Sequence, residues 1–182
     1  VVSFDDHDAV GSVDLTVTAP NLTASENILN LHLNLDPSQY GLLPLTFGGL
    51  VKGGSFDTPT IAQGVDAYKA DGDGNYDILL SFTSGGNTSK TFTNGDSLKY
   101  TITGAGLTAG SFSFLSAPAG GHGPFYFASH IQNTTGAGAG GSGWVTGPAI
   151  PSGGGVPEPA SATLALLACF GAILLRRQAA RC

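Results

Sequence analysis

Apolar and polar residues alternate with a period of two along much of this chain. Strands follow from that period, because successive side chains on an extended backbone point to opposite faces. Val13, Leu15 and Val17 alternate with Asp14, Thr16 and Thr18, which predicts a half-buried strand ended by Pro20-Asn21. Leu29, Leu31, Leu33 and Leu35 alternate with Asn30, His32 and Asn34 and predict a second, with His32 on its polar face and therefore at the surface. Asp36-Pro37-Ser38 reads as a turn. Residues 42–51 are apolar but interrupted by Pro44 and Gly48-Gly49, the pattern of an edge or bulged strand, and 55–61 is a weaker candidate because of Pro59.

Tyr76, Ile78, Leu80 and Phe82 predict a firm strand. Two more follow, at 91–93 and at Leu98, Tyr100 and Ile102, with Asn94-Gly95-Asp96 between them as a hairpin signal. Phe112 and Phe114 alternate, as do Phe125 and Phe127, and Gly143-Trp144-Val145-Thr146 closes the series. The N-terminal run Phe4-Asp5-Asp6-His7-Asp8 offers carboxylates and an imidazole that could ligate a metal, but reads better as a solvated turn. About eight to ten short strands at regular spacing, with no amphipathic helix before residue 156, predict an all-β fold packed as a β-sandwich, jelly-roll-like.

The pattern changes at the C-terminal end. Gly, Ala, Ser and Pro dominate from residue 147, which predicts a flexible linker over 147–155. After it, Val156-Pro157-Glu158-Pro159 should be extended, since two prolines fix φ and remove two amide donors. Residues 160–175 carry no charge, are rich in Leu and Ala, and stop at Arg176-Arg177, which predicts one membrane-spanning helix. At about 1.5 Å per residue it spans roughly 24 Å, short of a hydrocarbon core of about 30 Å. The arginines belong on the cytoplasmic side, and everything before Val156 on the other. The expected organisation is an ectodomain over 1–146, a linker over 147–155 and a C-terminal segment over 156–182.

This C-terminal segment resembles the PEP-CTERM protein-sorting signal of Gram-negative bacteria: a Val156-Pro157-Glu158-Pro159 motif, a Leu/Ala run containing Gly171, then Arg176 and Arg177. The resemblance implies a protein held transiently in the inner membrane. Exosortase, a membrane cysteine transpeptidase, would process it near the Pro-Glu-Pro and deliver it to the cell surface or extracellular matrix. Such a tail requires an export signal, and the first ten residues offer no apolar stretch for one, so one is expected upstream of Val1.

Charge and cysteine usage narrow the ectodomain. The chain has 7 basic and 13 acidic residues, and the tail takes three of the former and one of the latter, so four Lys face twelve acids before Val156. Such a balance excludes a nucleic-acid footprint and disfavours anionic lipid. Both cysteines, Cys169 and Cys182, lie in the tail, so the ectodomain has neither a disulfide framework nor thiol chemistry.

The densest chemistry is Asp71-Gly72-Asp73-Gly74-Asn75-Tyr76-Asp77. Calcium takes six to eight oxygens, and carboxylates at alternate positions beside glycines that let the backbone curl could supply several. Asp71, Asp73, Asn75 and Asp77 are the candidate ligands for a structural Ca²⁺; a solvated turn is the other reading. The stretch resembles an EF-hand loop at Asp71, Asp73 and Asn75, but Tyr76 stands where the loop needs Gly and Phe82 where it needs a bidentate Glu. It resembles an FG-GAP calcium turn at Asp73, Gly74 and Asp77-Ile78, with Lys69 in the place of the first acid.

His122 and His130 flank an aromatic strand and, with Trp144, could line a sugar platform; core packing with surface histidines is the alternative. No nucleophile motif, phosphate loop or facing pair of carboxylates is present, so no catalytic residue is assigned. The expected function is that of a non-enzymatic, exported surface or matrix protein. The second reading is a carbohydrate-binding or adhesive module, calcium-dependent, for extracellular polysaccharide.

Overall fold

The computed structural model describes residues 1–6, 10–23, 25–85, 89–134 and 141–147. Among these residues ten strands run in chain order: β1 (Val2–Asp6), β2 (Ser12–Thr18), β3 (Asn27–Leu33), β4 (Thr46–Gly53), β5 (Thr60–Lys69), β6 (Asn75–Ser81), β7 (Phe92–Thr93), β8 (Ser97–Thr103), β9 (Phe127–Gln132) and β10 (Ser142–Thr146). They form two antiparallel sheets, ordered β1-β2-β8-β4 and β10-β9-β3-β6-β5, with β7 added to the end of β3. The fold is all-β and sandwich-like. Its only helices among the described residues are two short 3-10 turns, Pro37–Leu42 and Ala109–Phe112.

One apolar core joins the sheets. The first contributes Val13, Leu15 and Val17 from β2 and Leu98, Tyr100 and Ile102 from β8. The second contributes Leu31 and Leu33 from β3 and Ile78 and Leu80 from β6. These are the alternating positions of the sequence, and burying an aliphatic side chain of this size is worth about 1.5–3 kcal/mol. On the opposite side of the first sheet, Asp14 accepts a hydrogen bond from Thr101 Oγ1 at 2.9 Å and pairs with Lys99 at 2.6 Å.

The strand over 42–51 is indeed an edge, β4, with a register shift between Gly48 and Val51. Gly49 there has φ +59, which a side chain would strain. Four expectations differ from the structure. Asp5 and Asp6 are in a strand, since β1 pairs along its own length with Val13–Val17 of β2 and stacks Phe4 on Phe112 at 4.2 Å, while His7 and Asp8 lie outside the described residues. Phe112 accordingly sits in a 3-10 turn, buried against β1, and not in a strand with Phe114. β5 overlaps the expected 55–61 only at Thr60 and Ile61 and runs on to Lys69, because a bulge over 64–67 breaks the alternation that would have marked it.

The fourth concerns Asn94-Gly95-Asp96. It makes a tight turn, with Asp96 N bonded to Thr93 O and Gly95 at φ +83, but its two strands do not pair. β7 joins β3 and β8 joins β2, so the turn carries the chain from one sheet to the other. Asp96 holds this corner by accepting from both Thr93 N and Thr93 Oγ1.

Candidate functional site

The hairpin loop between β5 and β6 carries Asp71 and Asp73 of the candidate calcium ligands, with Asn75 and Asp77 following in β6. It closes on itself through Ala70 N to Gly74 O at 3.0 Å and Asp73 N to Ala70 O at 2.7 Å. Asp71 is exposed, with φ +44, and Gly74 has φ +122. A second segment, 116–125, is laced onto this loop. Asn75 and Ala117 exchange both backbone hydrogen bonds, and His122 N donates to Gly72 O at 3.0 Å. Ser116 Oγ and Tyr76 Oη both donate to the Asp73 carbonyl, while Phe125 N donates to Ser116 Oγ.

This arrangement separates the four candidates. Asp73 is almost buried, and its carboxylate meets His122 Nδ1 at 3.3 Å, with the His122 side chain mostly in solvent. Asp77, buried in β6, accepts from Leu35 N at 2.9 Å through one oxygen and from Asp66 N at 2.8 Å through the other. Burial raises the Asp77 pKa above the ordinary value, against the pull of those two backbone donors. Burial, and then the negative charges of Asp77 and Asp66, push Tyr40 up to about 12. The structure therefore brings Asp73 together with His122, and Asp77 together with the backbone of two other segments. Among the described residues, no three His, Cys, Asp or Glu side chains gather as a metal site.

A row of rings crosses β10, β9, β3 and β6. Trp144 lies opposite His130 in register, and the two stack at 4.8 Å with planes 11° apart. Trp144 also meets His32 at 5.3 Å and 60°, and His32 meets Tyr76 edge-on at 5.5 Å. Ala128, which pairs with His32, and Ala70 complete this second, smaller apolar cluster.

His32 is thus not a surface residue: it is 3% exposed, and among the described residues neither ring nitrogen has a hydrogen-bond partner. Burial lowers its pKa to about 4, and nearby His130 adds to the shift. The Tyr68 backbone opposes that shift without reaching normal hydrogen-bond geometry. Of the aromatic residues expected to line a sugar platform, His130 and Trp144 meet, His122 sits with Asp73, and Phe127 packs against the main core.

Sequence reasoning gave no hint of Ser116, Asp66 or the burial of His32. Ser116 and Asp66 act through backbone contacts that carry no residue pattern, and His32 owes its burial to Trp144, more than a hundred positions away. The sorting motif Val156, Pro157, Glu158 and Pro159, the run 160–175 and the stop at Arg176 and Arg177 lie outside the described residues. Among the described residues, no helix is long and apolar enough to cross a membrane. No protein-family model, curated protein or solved structure matches the chain.

Proposed function

We propose that this chain is an exported, non-enzymatic surface or matrix protein: a jelly-roll-like β-sandwich module on a flexible linker, held transiently in the inner membrane by a PEP-CTERM tail that exosortase processes. The observation that carries the proposal is the order of three features in the tail. Val156-Pro157-Glu158-Pro159 is followed by an uncharged Leu/Ala run and then Arg176-Arg177. A motif that resists helix formation marks the outer face, an apolar run too short for a comfortable span holds the chain there, and two cations fix its orientation. The test replaces Pro157, Glu158 and Pro159 by Ala and follows the protein by cell fractionation. Retention of the unprocessed form in the inner membrane supports the proposal, and unchanged processing and surface delivery would sink it.

A second reading of the module is carbohydrate or adhesive binding to extracellular polysaccharide. The His130–Trp144 stack favours it, as paired rings on one sheet face offer apolar surface to the C–H face of a sugar. A structural Ca²⁺ beside this reading would draw on Asp71, Asp73 and Asn75, with Asp77 already committed to two backbone donors. Glycan arrays run in calcium and in chelator decide both points: binding that disappears in chelator supports them together, and silence across broad arrays removes the reading.

A further inference from the structure

Between the edge strands β1 and β10 the two sheets part over a cavity of about 220 Å³. Its wall is made by Val2 and Val17 from one sheet and by Leu31, Phe127 and Ile131 from the other, with Val145 at the mouth. Among the described residues no charged side chain lines it, the Val1 amino group in the lining donates to Thr18 O at 2.6 Å, and the polar side chains are those of Thr18, Asn21 and Ser129, the last already donating to Asn30 O at 3.2 Å. Leu31 and Val17 reach it from the core at 1% exposure each, so they form its floor, and Val145, 54% exposed, marks its open side. An apolar cavity of roughly 150 Å³ already stays dry and takes a benzene ring. This one is larger, and it lies below the roughly 300 Å³ of sites for drug-sized ligands.

We propose that this cavity is a binding site for a single uncharged alkyl chain, entering between β1 and β10. The lining sets the chemistry. Among the described residues the wall holds no charged side chain and only one cation, the Val1 amino group, which is already engaged by Thr18 O, so a charged head is poorly matched, whereas a hydroxyl or ester can hydrogen-bond to Thr18 or Asn21 and leave the chain inside. The cavity's size limits the guest to one chain. Two sources share this chemistry, a free medium-chain alcohol or ester and an acyl chain of a membrane lipid.

The experiment uses the full chain in lipid nanodiscs, with methyl-labelled Val, Leu and Ile followed by NMR during titration with 1-hexanol, 1-heptanol and 1-octanol. The expected result is saturable shifts at Val17, Leu31 and Ile131, with affinity rising about fourfold per added methylene until the cavity is full. Val51, exposed on β4 and remote from the lining, is the control for unspecific adsorption. Ala19→Phe and, independently, Ser129→Leu fill the cavity from two strand systems. Each is expected to abolish the shifts, and whichever of them folds decides the point. Cross-relaxation from lipid methylenes to Leu31 without added alcohol would assign the site to membrane lipid, and its absence alongside alcohol binding would assign it to free ligand. Linear, unsaturable shifts, equal shifts at Val51, or shifts that survive in a filled variant would overturn the proposal.

Discussion

The Asp77 carboxylate lies 2.9 Å from the Leu35 backbone nitrogen, and this bond removes it from the acidic loop that precedes it in sequence. Its other oxygen takes Asp66 N at 2.8 Å, where Asp66 has φ +49 in the bulge of β5. One buried side chain thus ties β6 to the segment that follows β3 and to the bulge. Replacing it by Ala leaves two backbone donors unpaired, each costing about 1–3 kcal/mol when buried. Asp77→Ala is expected to lose about 3 kcal/mol in urea unfolding, by the same amount in calcium and in chelator. A loss confined to the calcium sample would make Asp77 a metal ligand instead.

The lacing of segment 116–125 onto the loop depends on Gly74. A Cβ there would stand 2.1 Å from Ser116 Oγ and 3.0 Å from the Ala117 carbonyl, at a φ of +122 that side chains rarely adopt. Relief would require breaking the Asn75–Ala117 pairing. Gly74→Ala is expected to cost about 2–4 kcal/mol and to speed hydrogen exchange at Asn75, Ala117 and His122. Gly85, also at positive φ but with open space around a would-be Cβ, is the control, and Gly85→Ala should cost much less. Equal losses at both would place the cost in φ alone and not in the lacing.

Much of the sandwich was legible because a period of two survives wherever one strand face meets the core, as in Leu31, Leu33, Ile78 and Leu80. It failed where the backbone leaves ideal pairing. The bulge over 64–67 hid most of β5, and the 3-10 turn at Phe112 imitated a strand by placing two Phe two residues apart. Asn94-Gly95-Asp96 announced a turn correctly, but local sequence does not say which sheet each arm joins. Of the candidate site, the existence of a tight acidic loop was readable. The partners of its carboxylates were not, since His122, Leu35 and Asp66 reach them from three other segments.

Trp144 is the single tryptophan of the chain, so intrinsic fluorescence reports on its stack with His130. If the row of rings is packing alone, Trp144→Ala lowers stability by about 2 kcal/mol, less than the 3–5 of a fully buried aromatic because Trp144 is only partly buried. Any polysaccharide that binds through this face should change Trp144 emission on titration and lose binding in both Trp144→Ala and His130→Ala. Binding with unchanged emission would move the sugar site elsewhere.

His32 gives the fold an acid-sensitive element whose sign is fixed. Its folded pKa, about 4, lies below the ordinary histidine value of 6.5, so the unfolded chain takes up the proton first as pH falls. The stability it contributes is complete above about 6.5 and is lost progressively down to about 4. Burial is the main cause, with His130 adding charge repulsion across the Trp144 stack. Asp77 works in the opposite sense: with its folded pKa raised, the native state holds that proton more tightly, and acidification through its window adds stability. Between pH 7 and 5 the His32 effect dominates, and the wild-type chain is expected to lose about 1–2 kcal/mol that His32→Phe, still seated between Trp144 and Tyr76, does not lose. Urea midpoints at the two pH values measure both. An acid limb of the same depth in His32→Phe would assign the sensitivity to another group.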